Sequence, residues 1–399
     1  MSNNTTREAM ATNNNDKTLN VPPLRFPEFT EEWGKCKVSD LLDIYSTNSL
    51  SWEQLEYDTN AIMNLHYGLI HVGLPTMVNL TKDKLPNIKE GNMPKNFELC
   101  KEGDVAFADA SEDTNEVAKT VEFFNLAGKD IVCGLHTIHG RDNKNRTVIG
   151  YKGYAFSSTA FHNQIRRIAQ GTKIYSISSK NFSECYIGLP SKPEQTKIAT
   201  LLRLIDERIV TQNKIIEKLQ SLIKGITILL TAKGKPNTTI AQCLECHSST
   251  LQESEVSHSG LYKVFGANGL VGYTDMPQMN GDAILIIKDG SGVGTTSYAQ
   301  GEFSVIGTLN YLTAISNYDL RYLYFVLSVF NFQSYKTGMA IPHIYFKDYG
   351  NAKIFCPPLS EQKRIANVLG KLESKLCLEQ NILASFNLQK RYLLGQMFI

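Results

Sequence analysis

The sequence predicts an α+β protein in which two mixed globes are joined by two long antiparallel coiled-coil helices in a pseudo-two-fold arrangement. Three observations predict it. "PEQTKIATLLRLIDERI" at 193–209 returns as "SEQKRIANVLGKLESKL" at 360–376, so that Glu194 and Glu361 stand 167 residues apart. Each copy continues into apolar residues at alternating steps of four and three. Ahead of each copy lies a stretch of short alternating strands broken by Gly and Asn turns.

In the first helix the apolar positions are Ile198, Leu202, Ile205, Ile209, Ile216, Leu219, Ile223, Ile226 and Leu230, with Gln212 at the remaining seam position. A shift of 167 gives Ile365, Leu369, Leu372, Leu376, Leu383, Phe386, Leu393 and Met397, with Glu379 opposite Gln212 and Lys390 opposite Ile223. A 3.5-residue period held this long is a coiled-coil seam. Pro193 suits a first helical turn, where its missing N–H is not needed, and Ser360 at the matching place suits a cap. Each helix is expected to run about 39 residues, or roughly 58 Å at 1.5 Å per residue. Gln212 and Glu379 fall near the two midpoints, so antiparallel packing in register would bring them face to face and penalise every slipped alignment. The other reading is that both are solvated where the seam opens.

The globes repeat more faintly. "QGTKIYSISSKNF" (170–182) aligns at the same shift with "TGMAIPHIYFKDY" (337–349), and "EGDVAF" (102–107) aligns with "NGDAIL" (280–285) at a shift of 178. Strands are expected at Tyr262 to Phe265, Ala283 to Ile287 and Ser304 to Ile306, and a helix at Asp319 to Phe330. The resulting division is a flexible tail over 1–23, a first globe over 24–190, a first helix over 191–232, a second globe over 233–357 and a second helix over 358–399. Globes carried on two long struts suggest a ruler for DNA, each globe reading one half-site while the middle base pairs go unread.

Composition narrows the class. The apolar runs, such as Ile284 to Ile287, are too short to span a bilayer, and "MSNNTTREAMATNNNDKTLN" has no basic and apolar leader, which predicts a cytoplasmic protein without a membrane partner. The eight cysteines are scattered along a long chain and read as free buried thiols. Net charge is only +2, but it is unevenly spread. Lys101 to Glu116 carries six carboxylates and one lysine, whereas Arg141 to Lys180 carries eight cations and one acid.

No catalytic constellation emerges. "CLECH" (243–247) matches a c-type haem attachment pattern, and Cys243 with Cys246 would make half a zinc site, but no second cysteine pair stands at zinc-finger spacing. "IIKDGSGVGTTSY" (286–298) lacks the Gly-Lys-Ser/Thr of a phosphate-binding loop. "CPPL" (356–359) has neither the amide or acid nor the aromatic of the base-holding loop of amino-methyltransferases. His136 and His139 have no carboxylate or third ligand at a convincing spacing. The chain is therefore read as non-catalytic, with no metal and no cofactor of its own. A purely structural helical adaptor and a metal- or haem-bearing enzyme remain as alternatives.

Candidate DNA-binding residues lie in two places. The basic run offers Arg141, Lys144, Arg146, Asn163, Arg166, Arg167 and Lys173, with amides among them that can read base edges. The glycine-rich loop of the second globe offers Lys288, Ser291, Thr295, Thr296, Ser297 and Tyr298, and the 337–349 segment adds His343, with Lys336 just ahead of it. The plain alternatives are a solvated face and a simple hairpin turn.

Taken in this order and spacing, these segments resemble the specificity (S) subunit of type I restriction-modification systems over nearly the whole chain. "PPLRFPEFTEEWGKCKVSDLL" (22–42) is similar to the family's approach to its first target recognition domain, and "PEQTKIATLLRLID" and "LSEQKRIANVLGKL" resemble the starts of its two conserved helices. "GLYKVFGANGLVGYTD" and "TGMAIPHIYFKDY" resemble recurring elements of such a domain. The resemblance implies two target recognition domains, each reading one part of a split, asymmetric site in double-stranded DNA. It also implies docking of two methyltransferase subunits that methylate adenine, and of motor-nuclease subunits that cleave unmodified DNA. S-adenosylmethionine, ATP and Mg would belong to those partners. Carried over residue by residue, Glu194, Gln195, Ile198 and Ala199, with Glu361, Gln362, Ile365 and Ala366, belong to scaffold and subunit docking, and the seam pair Gln212 and Glu379 is read as part of the same scaffold. The first globe departs from the pattern, with Tyr175 where the second has Pro342 and without the glycine-rich loop.

Overall fold

A computed structural model describes residues 20–231 and 233–399. The expected flexible tail over 1–23 therefore lies, apart from its last four residues, outside the described residues. Those four are not loose. The Asn20 carbonyl accepts from Trp33 N (2.9 Å), Pro22 is buried, and the next residue, Leu24, donates to the Gln396 carbonyl (2.9 Å).

The chain forms two compact units, one of residues up to Thr211 together with Ala384–Ile399, the other Gln212–Leu383. The long helices span Lys192–Thr231 and Leu359–Gln396, 40 and 38 residues. Each unit holds one globe with the first part of one helix and the last part of the other. The second helix begins at Leu359, so Ser360 lies inside its first turn and does not cap it. The Pro358 carbonyl takes the capping place instead, accepting from Glu361 N (2.8 Å) and Gln362 N (3.1 Å).

The unit 1 globe is built on a five-stranded sheet in the order Asp43–Tyr45, Thr137–Arg141, Val105–Ala108, Thr120–Asn125, Met77–Asn79. A second, four-stranded sheet orders Ile131–Cys133, Met63–Leu65, Asn87–Ile88 and Leu55–Glu56. The unit 2 globe has a four-stranded sheet in the order Leu244–Ser248, Leu309–Ala314, Ala283–Ile287, Thr296–Ala299, repeating the first four places of the unit 1 sheet. Its other sheet orders Gly269–Thr274, Tyr262–Gly266, Glu302–Val305 and Met279–Asn280. Buried strands here read as apolar runs, as in Ala283–Ile287, because both faces are covered. The helix expected near 319–330 spans Leu320–Ser328, and Asp319 caps it by accepting from Tyr322 N (2.8 Å).

Each globe is locked to the first turns of a long helix in the same way. Gln195, 1% exposed, accepts from Val148 N (2.9 Å) and donates to the Pro190 carbonyl (3.0 Å). Gln362, 2% exposed, accepts from Asp319 N (2.9 Å) and donates to the Pro357 carbonyl (2.8 Å). Beside them Tyr151 donates to the Gly188 carbonyl and Tyr322 to the Phe355 carbonyl, both at 2.7 Å. Three turns further along the helices, Asp206 accepts from Tyr154 and Glu373 from Tyr324, both at 2.8 Å. Each of these carboxylates also has a cation: Lys390 for Asp206 (2.6 Å), and Arg321 for Glu373. Burial and the Asp206 carboxylate hold the Tyr154 hydroxyl in its neutral, donating form by raising its pKa.

The helical halves in each unit run antiparallel. Ile198, Leu202 and Ile205 share a core with Leu393 and Met397 in unit 1, while Ile226 and Leu230 pack with Ile365, Leu369 and Leu372 in unit 2. Gln212 and Glu379 are both 7% exposed and meet: the Gln212 amide donates to the Glu379 carboxylate and, at 3.0 Å, to its backbone carbonyl. Lys375 and then Gln212 hold the Glu379 carboxyl below its ordinary range, which keeps the acceptor ionised. The solvated reading of this polar pair is thereby excluded. Cysteines introduced as Gln212→Cys and Glu379→Cys, in a Cys377→Ser background, are expected to cross-link on mild oxidation. Non-reducing gel mobility checks this, and a shifted control pair, Thr211→Cys with Glu379→Cys, should stay open.

Candidate nucleic-acid interface

The strongest repeat between the globes is a backbone one. In unit 2 the chain leaves Ala283–Ile287 into the glycine-rich loop, and the Thr337–His343 hairpin docks beside it. Thr337 and His343 exchange backbone hydrogen bonds (2.9 and 2.8 Å), Gly290 N donates to the Pro342 carbonyl (2.9 Å) and Ile344 N to the Lys288 carbonyl (3.0 Å). In unit 1 the chain leaves Val105–Ala108 and the Gln170–Ser176 hairpin docks likewise. Gln170 and Ser176 exchange bonds at 3.0 and 2.9 Å, and Ile177 N donates to the Asp109 carbonyl (3.1 Å). Gly171 and Gly338 occupy the same place at φ +143° and +85°, where a side chain would collide with the carbonyl of Ile174 or Ile341.

These two edges carry different chemistry. The unit 2 edge gathers Lys288, Ser291, Thr295, Lys336 and His343, with exposed Met339, Ile341 and Tyr345. Beside it a cleft of about 350 Å³ is lined by Thr295, Thr296, Phe330, Gln333 and Lys336. The unit 1 edge sets acidic Glu112, Asp113 and Glu116 against Tyr67, His71 and His136 around a cleft of about 660 Å³. Ile174 at the hairpin tip, 63% exposed, closes one side. Asn163, Arg166, Arg167 and Lys173 are exposed, and Arg166 bonds both Asn115 (2.8 Å) and Asn163, which ties the basic helix Thr159–Ile168 to the acidic loop. Lys144 donates to the Asp40 carbonyl (2.9 Å), and Arg146 is exposed near the helix joint.

Not every predicted contact residue reaches a surface. Tyr298 turns inward: its hydroxyl donates to Asp282 (2.8 Å), and the Arg321 guanidinium lies 4.2 Å from its ring centre. Thr296 presents a buried hydroxyl, while Ser297 beside it is exposed. The main correction is Arg141, which is 6% exposed. Its guanidinium donates to Asp104 (2.8 and 2.9 Å), Glu98 (2.5 Å) and the Leu99 carbonyl (2.7 Å), and covers the Tyr45 ring at 4.5 Å. Burial pushes the Asp104 carboxyl up, but hydrogen bonds from His139 (2.7 Å) and Arg141 outweigh it and hold Asp104 below its ordinary range. Both histidines of "GLHTIHGRD" thus have carboxylate partners far away in sequence, since His136 lies 3.1 Å from Asp109.

"CLECH" does not converge. Cys243 is buried with its sulfur 3.9 Å from Cys356, and His247 stacks on Tyr311 at 4.8 Å between ring centres.

The family model for the Type I restriction modification DNA specificity domain matches residues 83–221 and 241–387, together more than half of the chain. The chain belongs to that family. The family is a non-catalytic one that supplies DNA specificity, and the catalytic activities of its systems lie in other subunits. A stretch of 116 residues is 24% identical to the type I restriction enzyme EcoprrI specificity subunit of Escherichia coli and spans 29% of each chain. The fold is that of the S subunit of a type I restriction-modification system from M. genitalium, with a TM-score of 0.62 and 18% identity over 95% of this chain and 99% of that one. A second solved chain, from a study of complex assembly and conformational transition of the type I R-M system, has a TM-score of 0.56 and 15% identity over 91% and 96%. Among the described residues no helix is long and apolar enough to cross a membrane.

Most of this specificity chain's predicted docking residues are occupied internally. Glu194, 1% exposed, pairs with Arg25 (2.6 Å), and Gln195, Ile198, Ala199, Gln362, Ile365 and Ala366 are all buried. Glu361 is half-buried and bonds Arg364 within its own helix (2.6 Å). Sequence reasoning missed the 109–116 edge because its glycines are replaced by acids; the signal was the Gly-Asp turn shared by "EGDVAF" and "NGDAIL".

Arg141→Ala removes the buried partner of Asp104 and is expected to cost about 3–5 kcal/mol of folding stability. Arg167→Ala, an exposed change, should stay within about 0.5 kcal/mol of the parent. Denaturant unfolding of the two variants beside the parent chain checks both.

Proposed function

We propose that this chain reads a bipartite, asymmetric sequence in double-stranded DNA, one part per globe, and directs methyltransferase subunits to adenines in that site. With motor-nuclease subunits added, the same reading would select unmodified DNA for cleavage. The observation that carries the reading is the pair of matched edges: one backbone arrangement, occurring once in each globe, with unrelated side chains. A shared backbone positions two equivalent surfaces against duplex DNA, and unlike donors and acceptors on them specify unlike base sequences. Arg166, Arg167 and Lys173 of unit 1, and Lys288 and Lys336 of unit 2, supply the positive charge that phosphates require, and His343 adds a ring nitrogen to the unit 2 edge. Arg141 takes no part in this surface.

Docking of the partner subunits is assigned to the outer faces of the long helices. Ile215, Leu222 and Leu229 of the first helix are 40%, 52% and 63% exposed and recur at heptad spacing beside the seam.

The test is methylation sequencing of a methylation-free host expressing this chain with its cognate methylating subunit. An interrupted, asymmetric methyl-adenine motif is expected. Lys288→Ala with Lys336→Ala should weaken or relax one half of the motif only, and Arg167→Ala with Lys173→Ala the other half. A complex that assembles but writes no motif would sink the reading.

A further inference from the structure

Residue 139 stands where the repeat calls for an apolar side chain. In the unit 1 sheet His139 pairs with Ala106, and in the unit 2 sheet the residue paired with Ile284, the counterpart of Ala106 at a shift of 178, is Leu312. Both positions are 0% exposed. An imidazole at such a place needs two hydrogen-bond partners, and His139 has one: Nε2 lies 2.7 Å from Asp104, while Nδ1 is buried with none.

Close to the His139 ring lie two thiols. Cys133 ends the strand Ile131–Cys133, and residues 134–136 carry the chain into the strand Thr137–Arg141 that holds His139. Cys100 reaches the same place because Leu99 pairs with Val132 and Cys100 N donates to the Ile131 carbonyl (2.8 Å). The two sulfurs are 3.6 Å apart, and with an imidazole nitrogen of His139 they lie within 4.8 Å of one another. Cys100 and Cys133 are 5% and 1% exposed. Ala106 and Ala108 share the surrounding apolar cluster with the two cysteines, so small side chains flank the group.

We propose that Cys100, Cys133 and His139 form a buried binding site for a thiophilic d10 cation, Zn2+ or Cu+. The donor set is the soft thiolate and imidazole set those ions prefer. A sulfur separation of 3.6 Å is close to the roughly 3.8 Å edge expected for two thiolates about 2.3 Å from a tetrahedral ion. The carboxylate behind the imidazole is the second observation. A metal-ligating histidine donates its other N–H to a carboxylate, which fixes the tautomer so that the remaining nitrogen offers its lone pair. Asp104 does this for Nε2, is itself fixed by Arg141, and leaves Nδ1 as the ligand. Ion binding releases the two thiol protons to solvent and transfers no electrons. Bound, the ion would staple the two sheets of the first globe at the point where the chain crosses between them. Unit 2 has no counterpart, since Leu312 replaces the histidine.

The test is metal analysis by mass spectrometry of the full chain, purified without an affinity tag or chelating resin from cells given zinc or copper. One ion per chain is expected, its identity deciding between Zn2+ and Cu+. His139→Leu, which installs the residue the second globe tolerates, should lose it while keeping the parent circular dichroism. If that variant does not fold, cobalt replacement in the parent chain decides: thiolate charge-transfer absorption in the near ultraviolet is expected, and its absence would overturn the site. Sub-stoichiometric metal in the parent, unchanged metal in His139→Leu, or a Cys100–Cys133 disulfide found by peptide mapping would each overturn it too.

Discussion

Two buried glutamines hold this protein together. Gln195 and Gln362 each sit in the first turns of a long helix, take a backbone N–H from a globe and return a donor to a proline carbonyl just ahead of the helix. An amide can do both at once, and in a dry joint each bond lost would leave a backbone group unpaired. The position of each globe on its helix follows from that joint. The buried tyrosines at 151 and 322 and the Tyr–carboxylate pairs at 206 and 373 are placed by it.

On those joints the two globes build one backbone and dress it differently. The edge of unit 2 is made of glycine, hydroxyls, lysine and histidine, whereas the edge of unit 1 balances carboxylates against arginines and histidines. A loop anchored by backbone hydrogen bonds tolerates such replacement, because its conformation depends on Gly171 and Gly338 and on the hairpin exchanges rather than on its exposed side chains. Interior chemistry has diverged as well: Asp104 and Asp282 fill the same turn, but one serves His139 and Arg141 and the other Tyr298 and Gln300.

The helices and their register were legible in the sequence because a coiled-coil period is a local signal and the single polar step falls at matching places, Gln212 and Glu379. The helix at 320–328 was legible from Asp319 and the apolar run behind it. The edge of the first globe was not, since its alignment slips by one residue between "EGDVAF" and the loop that follows, and its glycines are gone. Arg141 misled for a related reason. Its charge is visible in a basic run, but its partners Glu98 and Asp104 lie about 40 residues away, one just ahead of and one inside an acidic run that composition alone reads as a separate patch. The same distance in sequence hid Asp104 behind His139.

The carboxylates at 206 and 373 carry a consequence for how such chains diversify. Asp206 draws its cation from Lys390, so both charges belong to the helices. Glu373 draws its cation from Arg321, which belongs to the second globe. Exchange of the first globe would therefore leave a closed ion pair behind, and at Asp206 an incoming module would need to supply only a hydroxyl donor in the place of Tyr154. Exchange of the second removes the counter-charge with the module and leaves Glu373 without a cation unless the new globe brings one. The two slots of this chain are unequal as acceptors of new modules.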